Sequence, residues 1–566
     1  MHEMDSNDVF CADTIRPRKI KPQNLLLRLI RRESGNYRRG TEETITREFY
    51  QNIVPNLTVV NVEKPPGFLR KFTPDGKYLV AFSYDQTSLE IYKFLGTPAA
   101  AQLLYPWKTD LVPNGSLGYN VRSKIFDKLF QLKHRVNVTM PNKQLNRECS
   151  LFTADGKYVI VGASSVIHED QRPSFYDIYT TNETITPNAR FSLEDYSIYL
   201  IDIQNGVVMH SITFNVDRIF LSHNQGIYLY NNIFAVMAIF RQTIHLYEIY
   251  NGKFIPLHKL GRFCNDIDRC LYSETFPITQ FRPFKEATIG CMKHKILVFL
   301  FNQAMKKKLE DGTTYEVRKF YQSFDHYKNL RMWKMQLLDE NHILIKYASE
   351  EVVSLRVNEP GSYPSYFVFF NIMDSEVLAV YDNTSSLLLM LFENYCDRFR
   401  NSQLLMTTQY PCSPSNNVYA NLLLQSARGG GVLEATKRLL AQLPISAQSY
   451  SCSPYLDLSL FSYDDKWISV MERPKTCGEY PIRFFDRDSG IFKFRIYPGL
   501  QERSALNITR RLVAFTFHPT EPFAISVQRA NNEYVVNFHI RNEGTPVQKG
   551  VCLRKMQNGL CFRSKI

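Results

Sequence analysis

No run of about 18 apolar residues occurs anywhere in this chain of 566 residues, so no helical membrane span is expected. The first thirty residues carry Asp5, Asp8 and Asp13 and then a basic cluster, with no apolar core ahead of a small-residue cleavage site. The expectation is a chain that stays in the cytosol or nucleus. No Cys-x-x-Cys occurs among the eleven cysteines; the closest pair, Cys264 and Cys270, lacks a partnering Cys/His pair, which favours reduced thiols over zinc. Also missing are a Gly-x-x-x-x-Gly-Lys-Ser/Thr phosphate loop, His-Glu-x-x-His, Gly-x-Ser-x-Gly and the kinase signature set. His168-Glu-Asp170 is a single triplet in a loop and makes a poor metal site. No enzyme activity, no cofactor and no metal are expected.

What is present is charge at the ends. The net charge is +13. Residues 14–40 hold nine bases and one acid, residues 1–13 hold four acids, and residues 543–566 hold five bases and one acid. The body, 41–542, keeps only +5 and is no strongly basic grip for nucleic acid.

A pattern recurs through the body. Phe72-Thr-Pro-Asp-Gly-Lys-Tyr78 runs into an alternating stretch to Ser83, and Ser88–Phe94 alternates again. Pro74-Asp75-Gly76 has turn chemistry, since proline presets φ and glycine tolerates positive φ. Phe152–Val161 is nearly the same sentence, Phe461–Val470 a third copy, and Phe517–Ser526 a degenerate fourth. Each places an aromatic six positions after its phenylalanine: Tyr78, Tyr158, Trp467 and Phe523. A meander of this kind cannot bury both its faces, and such repeats stack radially. The fold expected is all-β: a seven-bladed WD40-like β-propeller with a helical insertion and an N-terminal amphipathic helix.

Residues 1–13 read as disordered. Within 14–40, Pro22 suits a helix start and Gly35 its stop. Leu25, Leu26, Leu29 and Ile30 share one face, with Arg28, Arg31 and Arg32 off it. Three uses are open: docking on its own ring, binding a membrane or RNA, or inserting into a partner's groove, the reading adopted. Arg16-Pro-Arg-Lys-Ile-Lys21 would also serve nuclear import, or is a solvated charge run.

The propeller's first part spans 57–384. Strand 57–62 is expected to close the ring on the last blade and remove an exposed edge. Blades are expected at 68–105, from Cys149 to Phe214 around a loop at 165–194, at 218–260, at 262–328 with a strand at Lys295–Phe301, and at 331–382 with a strand at Val352–Val357. Residues 106–146 read as an irregular insertion, and His223 as a turn cap rather than a catalyst. Helical spacing over Ser385–Asn401, Val418–Gln425 and Leu433–Gln442 marks an insertion at 385–442. The last blades fall at 455–498 and 510–541, within 455–542, and 543–566 reads as a disordered tail. Propeller hydrolases of the prolyl-peptidase type carry a nucleophile elbow, and sialidases Ser-x-Asp-x-Gly-x-Thr-Trp boxes; both are missing. Any other hydrolase would need an acid/base pair in the central channel.

Several blocks are more specific than repeat consensus: Pro55–Pro66, Gln86–Tyr92, Leu145-Asn-Arg-Glu-Cys-Ser-Leu-Phe152, Leu221-Ser-His-Asn-Gln-Gly226, Leu330-Arg-Met-Trp-Lys-Met-Gln-Leu-Leu-Asp-Glu-Asn341, Gln442-Leu-Pro-Ile-Ser-Ala-Gln-Ser-Tyr450, Ser453–Trp467 and Met471–Cys477. Across about 14–542 these resemble the De-etiolated family, in particular its animal members. The resemblance thins in 97–140, 270–330 and 400–435. It implies a non-catalytic, substrate-receptor-like subunit of a cullin-4 RING ubiquitin ligase. Implied partners are the large damage-specific DNA-binding adaptor with its small associated subunit, an E2 E-class ubiquitin-conjugating enzyme and the constitutive photomorphogenesis RING ligase, with transcription factors as targets in the nucleus. By the same resemblance Leu25, Leu26, Leu29 and Ile30 are the adaptor-binding anchors and Arg28, Arg31 and Arg32 their charged companions. The rival reading is a basic chromatin- or RNA-binding propeller scaffold.

Overall fold

The repeat's turn is built identically in its first two copies. Thr73 Oγ1 donates to Asp75 Oδ1 (2.6 Å), which also accepts from Lys77 N (3.1 Å). Thr153, Asp155 and Lys157 repeat this at 2.6 and 3.0 Å. One carboxylate thereby satisfies a hydroxyl and a backbone N–H that the tight turn leaves over. Gly76 and Gly156 take φ of 75° and 67°, where a side chain would be strained. A Cβ on Gly156 would stand 3.7 Å from Asp75, so consecutive turns sit side by side.

The computed structural model describes residues 49–542 apart from 140–142, 168–182, 189, 269, 271–289, 358–360, 362, 401–430, 450–452, 459, 465–480, 488, 498–510 and 531–532. Six sheets stand among the described residues. Sheet I holds Phe68–Phe72, Tyr78–Phe82, Ser88–Phe94 and Phe130–Asn137. In sheet II, Gln144–Leu145 and Leu151–Phe152 both pair with Tyr158–Val166, followed by Glu194–Asp202 and Val207–Asp217. Sheet III is Ile227–Tyr230, Ile233–Ala238, Thr243–Tyr250 and Lys253–Leu260. Sheet IV is Leu330–Leu337, His342–Ser349, Ser365–Asn371 and Glu376–Asp382. Sheet V is Phe461–Ser462, Ile482–Asp486 and Phe492–Ile496. Sheet VI is Arg511–Phe517, Phe523–Ala530 and Glu533–Ile540, extended by Leu57–Val59 and Leu111–Val112.

Neighbouring sheets share cores, as blades of a propeller must. Phe68, Phe82 and Ile91 of sheet I pack with Phe152, Val161 and Ile201 of sheet II. Sheets II, III and IV contribute to one cluster, among them Ile198, Val236 and Val368. Phe461 and Phe484 of sheet V meet Phe515 and Phe517 of sheet VI. Sheet VI returns to sheet I through Phe523, with ring centroids 5.4 Å from Phe94 and 6.0 Å from Phe72. The first and last of the described strands meet in sheet VI: Leu57–Val59 pairs antiparallel with Glu533–Ile540, Thr58 opposite His539. The strand expected over 57–62 is three residues long, and two-residue Leu111–Val112 runs parallel on its far side, so the edge left is very short.

Three segments differ from expectation. Sheet I does not end at 105: its fourth strand, Phe130–Asn137, comes out of the stretch read as an irregular insertion, after helix α1, Tyr119–Leu129. The blade expected over 262–328 is helical in its described part. Lys295–Phe301 lies inside helix α2, Cys291–Asp311, followed by Tyr315–Gln322 and Phe324–Lys328. Seven apolar-rich residues suit either state. The ends decide: Gly312, with φ 66°, donates to Lys308 O (3.0 Å) as a left-handed stop, and the run ahead of it, Gln303-Ala-Met-Lys-Lys-Lys-Leu-Glu310, is made of good helix formers. Val352 sits in a helical turn, Glu350–Val353, opened by two acids, rather than in a strand over 352–357. Between sheets IV and V lie helices α3, Ser386–Asn394, and α4, Gly431–Leu440. Leu388, Phe392, Leu439 and Leu440 cover Leu344 and Phe367 of sheet IV. The helix expected over Val418–Gln425 and the tail from 543 fall outside the described residues.

Candidate docking site

The seven residues expected to bind an adaptor (Leu25, Leu26, Arg28, Leu29, Ile30, Arg31 and Arg32) lie outside the described residues, as does His168-Glu-Asp170. What is described is where their stretch joins the ring. Tyr50 is buried and meets Tyr455 edge-on with centroids 5.4 Å apart; the Tyr455 hydroxyl donates to Ile53 O. Burial pushes both phenols above their ordinary range. Beyond them Asn56 and Asn542 bond reciprocally: Asn56 Nδ2 donates to Asn542 O (2.8 Å), and Asn542 N to Asn56 Oδ1 (2.7 Å). The Asn542 amide also donates to Leu104 O (3.0 Å) and Trp107 O (2.7 Å), beside Tyr105, which is 77% exposed. Residues 56 and 542 therefore stand together at one corner of the ring. Fourteen residues separate a helix ending at 34 from Phe49, a reach of up to about 50 Å.

A second constellation lies at the inner edge, where the first strands of the sheets gather. Segment 443–449, on leaving α4, touches sheets I, II and IV and the turn ahead of sheet III. Gln448 brackets Phe152, accepting from its N–H (3.0 Å) and donating to its carbonyl (2.7 Å), while Lys71 Nζ donates to Gln448 O. Asn224 donates to Ala447 O (3.0 Å) and Ser150 O (3.1 Å) and accepts from Ser150 N (3.0 Å). Gln336 accepts from Ile445 N (2.9 Å) and donates to Phe399 O. Arg70, wholly buried, donates to Ser150 Oγ (3.2 Å) and Glu148 O (2.6 Å); burial brings its pKa down to about 10. His223, with φ 54°, points its ring at Glu148 (3.4 Å), while the turn's bridging bonds are made by Asn224. Each buried amide here has donor and acceptor both used, the arrangement of a structural lock. Among the described residues no group of three or more His, Cys, Asp or Glu side chains is placed to hold a metal ion.

Comparison with known proteins places this architecture. The family profile described as De-etiolated protein 1 (Det1) matches residues 147–542. This chain belongs to the De-etiolated family. It is 28% identical to the light-mediated development protein DET1 of Arabidopsis thaliana over 560 residues, covering 92% of this chain and 99% of that one. Against the same protein of Solanum lycopersicum it is 28% identical over 542 residues, with the same coverage. Among solved structures, the β-propeller domain of Myceliophteria thermophila Cps50 (Swd1) aligns with 86% of this chain and all of that one, at 7% identity and a TM-score of 0.32.

Four blocks that carry the De-etiolated resemblance meet in the inner-edge lock: Leu145–Phe152, Leu221–Gly226, Leu330–Asn341 and Gln442–Tyr450. Sequence reasoning gave 443–449 no role. Its signal was Gln336, an amide in a strand, which has no reason to be wholly buried unless something crosses it.

Proposed function

We propose that this De-etiolated family member is a non-catalytic scaffold and substrate-receptor subunit of a cullin-4 RING ubiquitin ligase, working in the nucleus. Its leading helix inserts Leu25, Leu26, Leu29 and Ile30 into the large damage-specific DNA-binding adaptor, with Arg28, Arg31 and Arg32 at the rim and the adaptor's small subunit alongside. The propeller then holds an E2 E-class conjugating enzyme and the constitutive photomorphogenesis RING ligase near a transcription-factor target. Raising effective concentration in this way needs no active site. The reading is carried by family membership over 147–542. It is supported by the corner where Asn56 bonds Asn542, from which a leading helix would reach a partner beside the ring, and by segment 443–449, which occupies the inner edge with the chain's own backbone.

The test is a pull-down of the adaptor with full-length chain carrying Leu26→Asp and Leu29→Asp. Capture should be lost with the circular dichroism spectrum unchanged, and wild-type capture should hold at raised salt, because apolar docking is weakly screened. Undiminished capture by the double variant would refute the docking role. Retention on DNA or RNA that collapses steeply with salt would favour the nucleic-acid reading instead.

A further inference from the structure

One arginine is fixed through its backbone neighbours while its own charge is left unused. Arg147 sits at the tip of the turn 146–149, between the two short strands of sheet II that precede Tyr158–Val166. The other residues of the turn are pinned. Asn146 N donates to Gly162 O (2.8 Å), Cys149 N to Asn146 O (3.0 Å) and Glu148 N to Asn146 Oδ1 (2.9 Å). Arg70 holds the Glu148 carbonyl (2.6 Å), and the Glu148 carboxylate faces His223 (3.4 Å). From this turn the Arg147 side chain reaches the first strand of sheet I and the third strand of sheet VI. Its Cζ lies 5.4 Å from the Phe68 ring centroid and 5.7 Å from that of Tyr534, two rings that meet edge-on at 5.3 Å. Arg529 comes to the same tyrosine, with Cζ 5.9 Å from its centroid.

Among the described residues Arg147 makes no hydrogen bond and no ion pair. The cluster is open to solvent: Arg147 and Tyr534 are partly exposed, Arg529 is exposed, and no nitrogen of Arg147 is shut away unpaired. Rings under a guanidinium engage its face, whereas its N–H donors lie in its plane and point past them. Phe68 and Tyr534 thus hold the group without using its hydrogen bonds. The pinned turn and the two rings have already ordered the side chain, so a ligand that engages the fork pays little of that cost. Two coplanar oxygens match the fork with a pair of parallel bonds.

We propose that Arg147, propped on Phe68 and Tyr534 with Arg529 at the same ring, is a docking point for a carboxylate side chain on an acidic segment of a partner protein. A carboxylate fits better than a phosphate. Glu148, next in the turn, is partly exposed and carries its own negative charge, which a dianion meets at a higher cost than a monoanion. The low net charge of the body, +5 over 41–542, also speaks for a short acidic segment rather than a nucleic-acid backbone. The site lies on the ring itself, goes beyond the adaptor reading and does not depend on it.

The probe is fluorescein-labelled hexaglutamate, titrated into full-length protein and followed by anisotropy at about 0.15 M salt, where attraction to the basic ends is screened. Arg147→Gln should weaken binding by roughly 10-fold or more, the worth of hydrogen bonds to a charged group. Arg147→Lys keeps the charge but loses the fork, and should weaken it nearly as much. A readout that needs no variant runs beside these. Phenylglyoxal, which adds to free guanidinium groups, should modify Arg147 in the protein alone, and hexaglutamate should protect it, as read by peptide mass spectrometry. Binding by Arg147→Gln equal to wild type, or no protection of Arg147, overturns the proposal. Full binding by Arg147→Lys does so too, since it marks unspecific attraction of charge. A fall in melting temperature with binding unchanged marks an arginine that only packs, and displacement of the peptide by inorganic phosphate at matched ionic strength marks a phosphate site; either result also overturns it.

Discussion

His539 shows how one side chain can close a ring. It is wholly buried in sheet VI, with Nδ1 3.0 Å from Thr58 Oγ1 on the closing strand and Nε2 2.9 Å from Ser526 Oγ on its neighbour. Burial pulls its pKa from the ordinary 6.5 to about 3, so the neutral ring is the one that fits. A depressed folded-state pKa means stabilisation that is complete above about 6.5 and is lost progressively as pH falls toward about 3. The amount at stake is on the order of 3–5 kcal/mol. Acid denaturation should therefore begin below about pH 6, and His539→Asn should flatten the pH dependence of stability over that window while lowering stability at pH 7; urea titrations at a series of pH values check both. His518 works the same way at the repeat turn. Its Nδ1 accepts from Glu521 N (2.9 Å) and Thr520 N (3.2 Å), which leaves Nε2–H to donate to Gly76 O (2.9 Å). A Cβ on Gly76 would lie 2.4 Å from that ring, so this glycine is demanded twice, by φ and by the histidine packed on it.

Among elements, segment 443–449 touches sheets I, II and IV and the turn ahead of sheet III. Removing the Gln448 side chain leaves both backbone groups of Phe152 without their partner. Each unsatisfied buried group costs about 1–3 kcal/mol, so Gln448→Ala should destabilise by about 2–5 kcal/mol. Gln448→Glu keeps the acceptor but loses the donor and should fall between. Chemical denaturation of both variants checks the order, and a Gln448→Ala chain as stable as wild type would show that the segment merely fills space. The repeats, the closing strand and the helical insertion were legible in the sequence because each is announced locally, by a turn, an alternation or a 3.6-residue period. The helix Cys291–Asp311 was misread because Lys295–Phe301 alone fits both periods. The fourth strand of sheet I was missed because Phe130–Asn137 follows a long excursion and is polar on its exposed face.

For the whole molecule, the corner made by Asn56 and Asn542 joins the approach to the first strand with the end of the last blade. Phe49 is half-exposed, whereas Tyr50 belongs to the core shared by sheets V and VI. Truncation should therefore have a sharp boundary. Deleting residues 1–48 should abolish adaptor capture with no change in melting temperature. Deleting 1–50 also removes Tyr50 and should cost about 2 kcal/mol, the worth of burying one aromatic side chain. Scanning calorimetry on the two truncations, beside the pull-down, checks the boundary. Loss of stability already at 1–48 would place the leading stretch on its own ring.

Sequence alone was enough to establish a propeller and its family, since turns and strand alternation are set by residues a few positions apart. Only the tertiary structure decided the register of the ring's closure, Thr58 opposite His539, and that residue 448 brackets residue 152. Those relations join positions 296 and 481 residues apart. They arise from the closing of the ring, which no local pattern of residue types encodes.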